Sequence, residues 1–280
     1  MKKFLAVFDG FRLSKSTLQY AIQLSQVSDA HLVGVFLDEF SYHSYDAYHV
    51  INTEKNYEKV LKQLNARDSR KRDLAVQQFE KACQSSGVNY TVHRDKNIAL
   101  QDLKHESLFA DLILVNETEA FSRVREKLPT RFIKELLSDI QCPVLLVPNI
   151  FVFIDRIELL YDGSPSSLYA IKMFSYLLGN LMNLPVEVLT VRNKTVTGTR
   201  VPDNKLMKEF IKRHFPKAVY KVEKGDAEEV IPAYLKNHKG NELVVLGAYQ
   251  RNEVSRWFRH SMADILMKQL DTPLFVAHSR

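Results

Sequence analysis

Phe4-Leu5-Ala6-Val7-Phe8-Asp9-Gly10, followed by Ser14-Lys15-Ser16-Thr17-Leu18-Gln19-Tyr20-Ala21, returns past the middle of the chain. There it reads Ile157-Glu158-Leu159-Leu160-Tyr161-Asp162-Gly163, followed by Ser164-Pro165-Ser166-Ser167-Leu168-Tyr169-Ala170. Each copy reads as a buried strand, an Asp-Gly turn and a helix opened by Ser. The ends of the two halves match as well. Asp111-Leu112-Ile113-Leu114-Val115-Asn116 resembles Glu242-Leu243-Val244-Val245-Leu246-Gly247. Each is followed by a polar loop, a helix, and then Cys142-Pro143-Val144-Leu145-Leu146-Val147 or Thr272-Pro273-Leu274-Phe275-Val276-Ala277.

Between these marks, short apolar runs alternate with helical patterns. The strand candidates of the first half are Phe4–Phe8, Leu32–Phe36, Tyr90–His93, Leu112–Val115 and Val144–Val147. Those of the second are Ile157–Tyr161, Val186–Val191, Ala218–Val222, Leu243–Leu246 and Leu274–Ala277. Leu168, Ile171, Phe174, Leu177 and Leu178 recur at helical spacing between them. Continuous apolar strands separated by helices mean a parallel sheet covered on both faces. The expected fold class is α/β, with two tandem doubly wound, Rossmann-like domains, 1–149 and 150–280. The connector Ile150-Phe151-Val152-Phe153-Ile154 is apolar, unlike a flexible Gly/Ser linker, so the halves are expected to pack together. The first half carries a long stretch from Asp38 to Ser85, which the second crosses more briefly, from Arg192 to Pro216.

At 280 residues with 45% hydrophobic and 26% charged side chains, the chain excludes collagen-like, disordered and disulfide-scaffold classes. No apolar run reaches the ~18 residues of a membrane helix. The N-terminal apolar run meets Asp9 too early for a signal peptide, so a cytoplasmic protein without membrane attachment is expected. Cys83 and Cys142 stand in neither a CxxC nor a His-rich setting. The charge of +6 is a mild excess, and the densest basic stretch, Arg67 to Asp73, is interrupted by acids in a helical pattern. A solvated helix face is expected there, and no nucleic-acid partner.

In an open α/β sheet, ligands bind beyond the carboxyl ends of the strands. Asp9-Gly10, Asp162-Gly163 and the loops after Asn116 and Gly247 lie there. The loop from Gly247 to Met262 ends with Ser261 at a helix N-cap position, and Arg251, Arg256 and Arg259 add positive charge. A helix N-terminus suits a phosphate. It equally suits a Ser that caps its own helix beside solvated arginines, and the spacing leaves both readings open.

These features resemble the universal stress protein family, whose domains are adenine nucleotide α-hydrolase-like, in a tandem arrangement covering almost the whole chain. Nucleotide-binding members carry Gly-x-x-Gly, nine residues, then Gly-Ser or Gly-Thr, with an Asp after strand one at adenine and a Val after strand two on the base. The resemblance implies an adenine nucleotide, ATP, in the second domain only. Its residues would be Asp162, Val191, Gly225, Gly247, Arg251, Ser261 and Met262. The first domain keeps Asp9, Val35 and Thr130 as a degenerate site, with Asn116, Glu119 and Pro129 where the glycines belong. In the second, Gln250 and His260 replace two glycines. The register survives, since nine residues separate Glu119 from Pro129 and nine separate Gln250 from His260. A side chain at a glycine position strains the backbone by about 1 kcal/mol and blocks approach to phosphate. Glu117, Glu119 and Glu126 would also repel a triphosphate in the first half, partly offset by Arg123, Arg125, Lys127 and Arg131.

No general base or nucleophile arrangement is evident, so no enzymatic activity is expected. The segment with Tyr42, His43, Tyr45, Tyr48 and His49 has no carboxylate in good register for a metal; it is read as aromatic packing, and no metal is expected. Two functional readings follow. One is a stress-response sensor binding an adenine nucleotide. The other is a scaffold acting through unidentified protein partners. In that form the halves pair internally as a pseudo-dimer through Val144–Val147 and Leu274–Ala277, with further homodimerisation left open.

Overall fold

A computed structural model describes residues 1–37, 43–95, 99–122, 126–195, 198, 200–238, 240–247 and 261–277. All ten expected strands are present: β1 (Lys2–Asp9), β2 (Ala30–Leu37), β3 (Tyr90–Asp95), β4 (Leu112–Asn116), β5 (Val144–Val147), β6 (Arg156–Leu160), β7 (Val186–Arg192), β8 (Val219–Lys224), β9 (Glu242–Gly247) and β10 (Leu274–Ala277). They form one sheet, ordered β3-β2-β1-β4-β5-β10-β9-β6-β7-β8. Every neighbouring pair is parallel except β5 and β10, which run antiparallel with Leu145 opposite Phe275. Each half is therefore a five-stranded doubly wound sheet. The last strands join the halves and satisfy two edges that would otherwise be open.

The helices between them include α1 (Lys15–Ser28), α2 (Ala47–Thr53), α3 (Tyr57–Ser85), α4 (Ala99–Ser107), α5 (Arg131–Asp139), α6 (Pro165–Leu177), α7 (Asn204–His214), α8 (Ala227–Lys236) and α9 (Met262–Gln269). The repeated Ser residues start the first helix of each half in the same way. Ser14 accepts from Thr17 N (3.2 Å) and Ser164 from Ser167 N (3.1 Å), satisfying donors that the helix cannot. Pro165 adds a fixed φ at the first helical position.

Alternation along each strand feeds two cores. Phe4, Ala6 and Phe8 of β1 join Phe36, Phe79, Phe174 and Phe275 on one face. Leu5 and Val7 join Val35, Ile133, Leu246 and Leu266 on the other. The apolar connector ties the halves, as its composition suggested. The Tyr20 hydroxyl donates to Val152 O (3.0 Å) and accepts from Val152 N (3.2 Å), and Phe151 packs edge-on against the Tyr20 ring. Ile154 is buried, whereas Ile150 and Phe153 are exposed.

The segment after β2 departs from its expected packing role. Helix α2 buries no residue and Tyr48 is 80% exposed, although His43 stacks on Tyr45. Tyr42 lies outside the described residues. Its anchor is polar: Asp68 of α3 accepts from Ser44 N (2.9 Å) and from the Ser44 hydroxyl. Asp68 is thus fully buried within the basic stretch read as a solvated face.

Candidate functional site

In each half the chain winds outward on one side of its first strand and then returns to the other. Strand β1 lies between β2 and β4, and β6 between β7 and β9. The gap beyond the carboxyl ends of β1/β4 and β6/β9 is therefore a topological switch point, where an α/β sheet leaves a crevice. Asp9 and Asn116 flank the first, Asp162 and Gly247 the second. Both aspartates close the same turn, accepting from the backbone N–H two residues on, Phe11 at 2.9 Å and Ser164 at 2.8 Å.

The first crevice is occupied by the chain itself. Asp9 is 7% exposed and Val35 is fully buried. The Glu119 carboxylate accepts from Ala120 N (3.2 Å) and is also held by backbone hydrogen bonds from Phe121 and Asp9. Burial, then the charge of Asp9, pushes its pKa up to about 7. Glu117 is 2% exposed, and burial followed by the charge of Asp271 pushes it up to about 8. The Thr130 hydroxyl is engaged on both sides: it accepts from Ile133 N (3.2 Å) as the cap of α5 and donates to Glu119 O. Asn116 folds its amide oxygen onto Thr118 N (2.9 Å) in a turn of its own. Arg123 and Arg125 lie outside the described residues.

The second crevice differs from the first in burial and in the use of its hydroxyls, among the described residues. Asp162 is exposed, and its Oδ1 takes both the Ser164 N bond and one from the Ser167 hydroxyl (2.7 Å). Burial opposes the charge, but the bonds from Ser164 and Ser167 prevail and hold the carboxyl below its usual range. Oδ2 is not used by these bonds. Val191, near the end of β7, is half-buried. Gly225 follows β8 with φ +152°, donates from its N–H to Arg192 O (2.9 Å), and has no room for a Cβ beside Val230. Ser261 occupies the N-cap position of α9 but makes no side-chain cap bond among the described residues. Met262 opens α9 and is half-buried. Arg251, with Gln250, Arg256, Arg259 and His260, lies outside the described residues.

Gly247 has a reason in the fold itself. A Cβ there would stand 2.6 Å from Ser166 C and from Ser167 N, so the first turn of α6 lies directly on the end of β9. The glycine is required by helix-strand packing, whatever it also offers a phosphate.

Three solved structures share this architecture over nearly the whole chain. A universal stress protein from Archaeoglobus fulgidus DSM 4304 matches with TM-score 0.71 at 15% identity, covering 99% of this chain and 98% of that one. A functionally unknown protein from Pseudomonas aeruginosa PAO1 and a putative universal stress protein from Pseudomonas aeruginosa UCBPP-PA14 match with TM-scores 0.60 and 0.59. Their identities are 13% and 14%, and each match covers 99% of this chain and 92% of the other. The chain has the tandem universal stress protein fold. No family model and no curated protein matches it. Among the described residues, no helix is long and apolar enough to cross a membrane.

The sequence did not mark Asp68, Glu158 or Glu187 as notable groups. The signal for the last two was present: each interrupts an otherwise apolar strand with a carboxylate.

Proposed function

We propose that the chain is a two-domain universal stress protein, divided near residue 149, whose second domain binds an adenine nucleotide and whose first does not. The observation that carries this reading is the asymmetry of the two crevices. In the first, a carboxylate lies against a buried Asp9 and the Thr130 hydroxyl is bonded on both sides. In the second, Asp162 is exposed and the Ser261 hydroxyl at the N-terminus of α9 makes no cap bond. Asp162 Oδ2 would accept from the adenine amino group, Val191 would pack on the base, and Ser261 with the first N–H groups of α9 would take a phosphate. Arg251 would add charge to the phosphate end. The protein binds and does not turn over its ligand, and it works in the cytoplasm; its two cysteines are free and buried, as in a reducing compartment.

The scaffold reading has its own support in Gln250 and His260, which stand where nucleotide-binding relatives carry glycine. Titration calorimetry of Mg-ATP into the full chain separates the two. One site per chain, lost in Asp162→Ala and kept in Asp9→Ala, supports the nucleotide reading. No heat at millimolar ATP, with glycine at 250 and 260 restoring it, supports the scaffold.

A further inference from the structure

At the opposite end of the second half, away from the crevice, a polar cluster lies beneath the sheet. Glu158 of β6 and Glu187 of β7 are register partners on adjacent parallel strands, so their side chains leave the same face side by side. That face is apolar elsewhere, with Leu160, Leu189, Ile231 and Leu235 around it. Helix α8 closes over it. Tyr234 donates its hydroxyl to Glu187 Oε1, and His238, two residues past the helix, brings its Nδ1 to 3.6 Å from Glu158 Oε1.

The cluster is incompletely satisfied. Glu158 is 0% exposed; Arg156 Nη2 binds its Oε1 at 3.0 Å, but its Oε2 accepts no hydrogen bond among the described residues. His238 Nδ1 is also buried without a hydrogen bond. Such groups cost free energy unless something pairs with them. One ligand atom from each of Glu158, Glu187 and His238 lies within 4.8 Å of the others. For three atoms so placed there is always a point within about 2.8 Å of all of them. Sub-ångström side-chain rotation then reaches the ~2.1 Å of Zn–N and Zn–O bonds.

We propose that Glu158, Glu187 and His238 bind a first-row divalent cation of the Zn²⁺ class. One imidazole and two carboxylates form the nitrogen–oxygen donor set such ions take, with a fourth position open to water. Tyr234 holds Glu187 in place from behind, as the outer partners of metal ligands do. The bound ion would tie the end of α8 to β6 and β7. The site lies roughly 13 Å along β6 from Asp162, at about 3.3 Å per residue, and is independent of nucleotide.

The test uses the full chain, stripped with chelator and titrated at pH 7.5 with Co²⁺ followed by visible absorption, then with Zn²⁺ in competition. The expected result is one Co²⁺ per chain with a ligand-field band that Zn²⁺ abolishes. Affinity is expected to fall on the order of 100-fold in His238→Ala and in Glu187→Gln, and about tenfold in Tyr234→Phe. His238→Ala removes a partly exposed side chain at a helix end, so it tests the proposal even if a buried substitution prevents folding. No band and no Zn²⁺ binding at millimolar metal would overturn the proposal. Binding unchanged in both ligand variants would overturn it equally, by placing the ion elsewhere.

Discussion

Glu119 and Asp9 place two carboxylates against each other at the switch point of the first half. The proton held by Glu119 up to about pH 7 is one that the unfolded chain releases near the ordinary 4.5. Stability from this group is therefore full below about pH 4.5 and lost as pH rises through 7. Glu117, raised to about 8, acts in the same direction. Asp162, with its carboxyl lowered, acts oppositely, and its contribution is lost only below the ordinary 3.8.

The melting temperature of metal-free protein is accordingly expected to fall between pH 5 and pH 8. Glu119→Gln should raise it at pH 8 by about 2–4 °C, or ~1 kcal/mol, with little change at pH 5. Calorimetric melts across this range check the point. A flat profile in the parent chain would refute the assigned protonation.

Thr130 and Ser261 occupy equivalent helix starts with different duties. Thr130→Ala should cost about 1 kcal/mol in urea denaturation, since it removes a cap bond. Ser261→Ala removes no cap bond and should leave stability within about 0.5 kcal/mol. It should nonetheless weaken ATP about fivefold, the equivalent of one hydrogen bond. Equal losses of stability in the two variants would contradict the difference.

Gly247→Ala forces a methyl group into the backbone of Ser166 and Ser167. A loss of about 1–3 kcal/mol is expected from overpacking. Asn116→Ala, at the matching place in the first half, should cost only ~1 kcal/mol through its turn bond to Thr118. Chemical denaturation of both variants measures the contrast, and an innocuous Gly247→Ala would show that α6 shifts freely.

Tyr20→Phe removes both bonds to Val152. It should lower stability by about 1–2 kcal/mol and speed protease cleavage of the 148–155 connector. Unchanged cleavage would mean that Phe151 and Ile154 alone hold the connector.

All ten strands and the two helix-opening serines were legible in the sequence, because each rests on local chemistry; the pairing of the last strands was implied only by the family resemblance. Continuous apolar runs specify buried strands, Asp-Gly specifies a turn, and a Ser before an apolar period specifies a cap. The near-identical order of these marks in both halves fixed the tandem architecture. The loss of the glycines that the family resemblance calls for, with Glu119 at one of their positions, was the ground for expecting no phosphate in the first crevice.

The tertiary structure decided what depends on residues far apart in the chain. Glu158, Glu187 and His238 are separated by dozens of residues, and only parallel pairing of β6 with β7 beneath α8 brings them together. Gly247 reads as a phosphate-loop glycine in sequence, yet its need arises from a helix start about 80 residues earlier. Asp68 reads as one charge in a solvated run until Ser44 folds over it. Periodicity reports which face a residue takes; what it meets on that face is set by the winding of the whole sheet.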